Sequence, residues 1–209
     1  MVEIKERLRL TFQATRMDTA DLFKNEICSL QFRHICELIA VACLTAQGDF
    51  QTQRAFREEY NPQKIFNALR KIFPNFFPLP TQVTLTPMEG GSANHHHVAV
   101  NQSPEALTEK DITDIWSRSG DDLHRLSVNK YLERTFSKSP PLEPVVARAN
   151  ALAALLNTHL IPIGNPEALV YLDVRMHDDD DNCVAHFITL NSEAGTAEVI
   201  GFRAKVVGR

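Results

Sequence analysis

The sequence predicts an α+β protein, mainly a helical bundle with a small antiparallel β-sheet at its C-terminal end and a candidate β-hairpin insertion. Three observations lead there. Between residues 26 and 160 most of the apolar residues recur at helical spacing. After residue 160, short β-branched runs alternate with turn-forming clusters. Between them, "PNFFPLPTQ" (74–82) breaks the helical pattern with three prolines.

In chain order, residues 3–13 carry Ile4, Leu8, Leu10 and Phe12 among charges, and read as a short helix in preference to a strand. Asp18 or Thr19 offers an N-cap for the next helix. "EICSLQFRHICELIAVACLTA" (26–46) is apolar on nearly every side, which predicts a central helix. "QGD" ends it. "FQTQRAFREEY" and "NPQKIFNALRKIF" read as two shorter amphipathic helices. Pro62 stands near the start of the second, where its missing N–H costs little. "VTLTPMEGGSANHHHVAVNQ" has two alternating segments around a Gly/Ser/Asn turn, hence the hairpin or flap. "ALTEKDITDIW" restarts helix, with Thr108 and Asp111 spaced as a capping box. Helix continues or restarts through "GDDLHRLSVNKYLERTF". "SKSPPLEP" is a linker, and "PVVARANALAALLNTHL" is an Ala/Leu-rich helix. "LIPIG", "ALVYLDVRM", "CVAHFITL" and "AEVIGFRAKVV" are strands, and their short connections imply antiparallel pairing. The expected organisation is a helical unit over 1–160, interrupted at about 74–101, with a β appendage over 161–209 packed on the same domain.

Bulk properties narrow the function. The chain has 209 residues and a formal net charge of −4, so no global basic excess advertises nucleic acid, although a local basic patch remains open. No uninterrupted apolar run reaches the roughly 18 residues of a membrane span. The charged start, "MVEIKERLRL", does not read as a signal peptide. Cys28, Cys36, Cys43 and Cys183 show no CxxC spacing and read as buried free thiols. A cytoplasmic protein with no membrane partner is expected. P-loop, dinucleotide-binding, nucleophile-elbow and HExxH motifs are missing from the sequence.

Three clusters are candidates for chemistry. On the central helix, Glu26, Leu30, Arg33 and Glu37 share a stripe, and Arg33 can pair with Glu37 at i,i+4. This is either an internal ion-pair network or the polar wall of a site. His34 has Leu38 and Val41 as same-face neighbours and reads as a core or edge histidine. On a strand, His95 and His97 share a face and could hold a metal with a third ligand from elsewhere. No third ligand is evident, and an exposed hairpin arm is the expectation, with neither metal nor cofactor. Asp178–Asp181, in "MHDDDDNC", lacks the glycine and terminal glutamate of an EF-hand loop and reads as a solvated turn.

The third cluster is "IWSRSGDDLHR" (115–125). Arg118 and His124 together suit cleavage of RNA by its own 2′-hydroxyl. The imidazole moves a proton near neutral pH, and the guanidinium offsets charge on the phosphate. On an unbroken helix the two lie about 240° apart, so convergence requires Gly120 to loosen the turn. The bland alternative is a packed His124 beside a solvated Arg118.

"RSGDDLH" in a mainly helical chain resembles the R-x(4–6)-H motif of the HEPN superfamily, with five residues between arginine and histidine. The resemblance implies a helical bundle, His124 as acid/base and Arg118 as the phosphate-binding residue. It adds Arg33, Glu37, Asp121 and Asp122 as surrounding residues. It also implies a metal-independent ribonuclease of a toxin or defence system, acting as a homodimer on RNA and held by a protein partner or antitoxin. The other expectation is a non-catalytic module that binds a protein or nucleic acid, as many HEPN domains are. The resemblance covers roughly residues 20–160. The interruption at 74–101 and the β tail depart from the family's pattern.

Overall fold

The computed structural model describes residues 1–48, 59–87, 95–102, 106–123, 141–164, 170–176, 183–191 and 196–204. They form an α+β fold of five helices and six strands: α1 (Val2–Thr15), α2 (Asp21–Ala46), α3 (Pro62–Ile72), β1 (Leu79–Pro87), β2 (His95–Gln102), α4 (Glu109–Leu123), α5 (Glu143–Asn157), β3 (Thr158–Pro162), β4 (Val170–Met176), β5 (Cys183–Asn191) and β6 (Thr196–Ala204). The expected helix in "FQTQRAFREEY", the stretch from His124 to residue 140 and the Asp178–Asp181 run lie outside the described residues.

α2 is the central helix and packs against each of the other four. Its buried side chains include Cys28, Phe32, Ile35, Cys36, Ile39, Ala40 and Cys43, which interlock with Ile65, Phe66 and Leu69 of α3, Ile112 of α4, and Leu152, Leu155 and Leu156 of α5. By length and composition α2 would also pass as a membrane span, even though charges interrupt its apolar run. Half of its most apolar stretch is nevertheless buried inside the protein, as the core helix of a bundle is. α2 begins earlier than its apolar pattern does. Its N-cap is Ala20, with no capping side chain, so neither Asp18 nor Thr19 fills that role.

Other ends follow local chemistry. Asn61 caps α3, its side chain accepting from the backbone N–H groups of Gln63 and Lys64, with Pro62 at the first helical position. At α4, the N–H and hydroxyl of Thr108 both donate to Asp111 Oδ2, at 2.8 and 2.6 Å. The N–H of Asp111 returns a bond to the hydroxyl at 3.3 Å. This is the capping box, closed by aspartate in place of glutamate. Gly48 ends α2 at φ +78°, a left-handed conformation that favours glycine. Gln47 then ties this end to the strands: its amide donates to the Pro162 carbonyl at 2.8 Å and its oxygen accepts from Gly164 N–H at 3.1 Å.

The strands differ from expectation in how they join. The hairpin and the C-terminal strands form one closed antiparallel barrel in the order β1-β2-β6-β5-β4-β3. β1 meets β3 through Leu79↔Leu160 and Pro80↔His159. β2 meets β6 through His95↔Glu198, His96↔Ala197 and His97↔Thr196. The hairpin is therefore part of the same sheet as the tail, and a division at residue 160 falls inside β3. Closure satisfies the edges that a separate hairpin and a separate sheet would both expose. Leu160, Ile161, Val174 and Ile188 are among the buried apolar side chains of its strands. α5 packs on β1, β3 and β4 and couples barrel to bundle.

Candidate functional site at the junction of α2, α4 and α5

α2 and α4 cross in opposite directions along a ladder of polar contacts. At one end the Ser29 hydroxyl donates to Asp122 Oδ2 at 3.3 Å. In the middle, the guanidinium carbon of Arg33 lies 4.6 Å from the centre of the Trp116 ring. At the other end the Trp116 indole N–H donates to Glu37 Oε1 at 3.0 Å. Ser29, Arg33 and Glu37 are spaced four residues apart, so one stripe of α2 faces α4.

Arg33 and Glu37 are half-buried, and Nε of Arg33 lies 3.2 Å from Oε1 of Glu37. Glu37 also takes His34, whose Nδ1 is 3.5 Å from Oε2. Each charge therefore has partners, as partly buried charges require. The guanidinium is held by the carboxylate on its edge and by the indole on its face. Arg33 and Glu37 thus form an ion pair within α2, and Trp116 joins that pair to α4. The expected member Glu26 has no contact with α4 among those described; Ser29 takes the end of the stripe instead. His34 is at the half-exposed edge of the network, where it presents its ring to solvent.

The loosening of α4 expected at Gly120 does not occur: α4 runs unbroken from Glu109 to Leu123. Gly120 is buried, and a Cβ there would come within 2.8 Å of Nη1 of Arg33. The glycine is the seat of the guanidinium, so its missing side chain serves packing and leaves the helix straight. Ser119, beside it, is fully buried, and its hydroxyl has no hydrogen-bond partner among the described residues.

Arg118 projects to solvent from the same turn, as does Asp121 one turn on, whereas Asp122 is half-buried against Ser29. A further cation belongs to this end of the bundle. Arg148 of α5 stacks on Phe32, its guanidinium carbon 5.4 Å from the ring centre. Burial draws its pKa below the ordinary arginine value; Asp122 opposes that shift and Arg118 adds to it. Arg148 thus feels both Asp122 and Arg118, which are carried by α4. Arg33, Glu37 and Trp116 form one group, and Arg118, Asp122 and Arg148 another, joined through α4. His124, the expected partner of Arg118, follows directly on Leu123 and lies outside the described residues.

Sequence reasoning alone does not single out Trp116, Gly120, Ser29 and Arg148 as one site. Ser29 is legible, since it lies four residues before Arg33. Trp116 and Gly120 are legible only as a pair on one face of α4, and Arg148 needs the packing of α5 against α2.

The metal-binding alternative gains no third ligand. His95–His97 opens β2, and among the described residues no group of three His, Cys, Asp or Glu side chains is placed to hold a metal. All four cysteines are free and buried. Compared with known protein families, with curated proteins and with solved structures, the chain matches none.

Proposed function

We propose that the chain is a HEPN-like, metal-independent ribonuclease that takes an RNA phosphate at the C-terminal end of α4, with Arg118 binding the phosphate and His124 moving the proton. The observation that supports this is that half-buried Arg148 feels the like charge of exposed Arg118, which stands six residues before His124 in the chain. Two guanidinium charges opposed by one carboxylate leave a net positive charge that favours an added anion. In the reaction, the imidazole accepts the proton of a 2′-hydroxyl and the 2′-oxygen bonds to phosphorus. The bond to the 5′-oxygen breaks, and the leaving oxygen takes a proton from solvent. Arg33, Glu37 and Trp116 act as positioning residues, fixing the turn that carries Arg118. Two copies meeting at this end would bring two such motifs together, consistent with a homodimer.

The test is cleavage of end-labelled RNA in EDTA by the purified chain, beside His124→Ala and Arg118→Ala. Products ending in 2′,3′-cyclic phosphate, lost in both variants, carry the proposal. Equal cleavage by the wild type and both variants, or no cleavage at high protein concentration, overturns it.

A second reading is favoured by a specific observation. Arg33 and Glu37 are engaged with each other and with Trp116, which favours a structural role for that pair. On that reading the chain is a non-catalytic module that binds a partner protein or nucleic acid.

A further inference from the structure

A second place, of opposite character to the acidic whole, is lined by residues of α1 and α5, none of them from α4. A groove of about 570 Å³ runs between α1 and α5, within the roughly 300–1,000 Å³ of small-ligand clefts. Lys5, Arg9 and Arg16 line it, against the single carboxylate of Glu6. That carboxylate lies 3.2 Å from Arg9 in an exposed pair, weak enough for Arg9 to exchange it for a phosphate. In a chain of net charge −4, this local excess of cations selects an anionic ligand.

The arrangement says more than charge. At about 100° per residue, Lys5, Arg9 and Phe12 of α1 and its C-cap Arg16 fall within an arc of about 60°. They form one stripe, with an aromatic ring between cations. Phe12 packs on the core and also lines the groove. Gln13 on one wall and Asn157 on the other supply amides, each both donor and acceptor. Small residues of α5, Ala153 and Ala154, keep the opposite wall low. An alkyl chain has no use for facing amides, and an acidic helix has no use for a ring between the cations. Bases that stack on an aromatic while their phosphates follow a cationic stripe use all of it.

We propose that the α1–α5 groove is a binding track for single-stranded RNA, separate from the Arg118 end of the molecule. Arg9 and Arg16 hold successive stretches of the phosphate backbone, Phe12 stacks a base, and Gln13 and Asn157 meet base edges. Arg148 and Asn157 are about 180° apart around α5, so a strand that occupies both sites passes around the bundle. Naming the strand as RNA rests on the ribonuclease reading; the anionic, base-stacking character of the groove does not.

The test uses the full chain carrying His124→Ala, so that RNA survives, and follows a fluorescein-labelled 12-nucleotide RNA by fluorescence anisotropy. Adding Arg9→Ala with Arg16→Ala is expected to weaken binding at least tenfold. It should also flatten the dependence of log K on log salt by about 1.4, roughly 0.7 for each phosphate that is no longer neutralised. Phe12→Leu, which keeps an apolar side chain against the core, is expected to weaken binding several-fold without changing the salt slope. Unchanged affinity and slope in the double arginine variant overturn the track. So does displacement of bound RNA from the groove by a fatty acid or an acidic peptide that binds more tightly and needs the same arginines. Failure of the ribonuclease reading is separately visible: RNA still binds through Arg9 and Arg16, but is not cut when His124 is restored.

Discussion

Gly120 and Arg33 are fitted to each other: a Cβ on residue 120 would stand 2.8 Å from the guanidinium, which Glu37 and Trp116 hold from two other sides. Alanine in a helix interior is ordinarily better than glycine by about 0.5–1 kcal/mol. Here the gain is opposed by displacement of a partly buried charge from its partners. Gly120→Ala is expected to destabilise the chain by about 1 kcal/mol, read from urea midpoints. In a background with Arg33→Leu and Glu37→Leu the same substitution should stabilise it. Stabilisation in the wild-type background would show that Arg33 moves aside freely.

The Thr108–Asp111 box governs the start of α4. Hydrogen bonds from the Thr108 side chain and backbone hold the Asp111 carboxyl below the usual range. A depressed carboxyl contributes stability above its unfolded pKa and loses it as pH falls through the folded value. Asp111→Ala should cost about 1 kcal/mol at neutral pH. The difference from wild type should narrow in acid, as thermal midpoints across a pH series will register.

His159 also loses stability on acidification, over a window nearer neutral pH. It is buried in β3, and its Nδ1 donates to the Leu156 carbonyl at 3.1 Å. Burial pushes its pKa down from 6.5 to about 4, against the pull of that hydrogen bond. The neutral form is the folded form, so its stability is complete above pH 6.5 and is lost as pH falls towards 4. A shift of that size corresponds to roughly 3 kcal/mol. His159→Asn keeps a donor for Leu156 and should remove most of the slope of stability against pH between 6.5 and 4. A slope unchanged in the variant would assign it to other groups.

Burial also silences the thiols. It pushes Cys28 up to about 11 and raises Cys36, Cys43 and Cys183 as well. Thiolate is the reactive form, so the folded chain should resist iodoacetamide at about pH 8, near the ordinary thiol pKa. All four cysteines should alkylate in denaturant, as intact-mass measurement will count.

What the sequence made legible was local. The capping box, Pro62 at the first position of α3, the apolar α2 and the strand runs each depend on neighbours within one turn or one hairpin. α2 also shows the limit of such signals. Its first turn, starting at Asp21, has no side-chain cap, although Asp18 and Thr19 stand just before it. Gly120 shows a second limit. Its residue type fits a break or a close approach equally, and only the position of Arg33 decides between them. The candidate site divides the same way. The Arg33–Glu37 pair was written in its spacing, whereas the indole of Trp116 and the guanidinium of Arg148 reach it from helices far along the chain. The strands were visible singly, but nothing within a strand states that β1 will find β3.

That closure sets an order of assembly. The β1–β2 hairpin leaves α3 early in synthesis, yet β2 lacks its outer neighbour until β6 emerges. Until then β2 and β5 each carry an unpaired row of backbone groups, a template for another chain. Contacts this distant in sequence also form slowly. The nascent protein thus passes through an interval with all five described helices made and an open barrel. Loss of β6 alone would leave the helices intact and the molecule prone to aggregate.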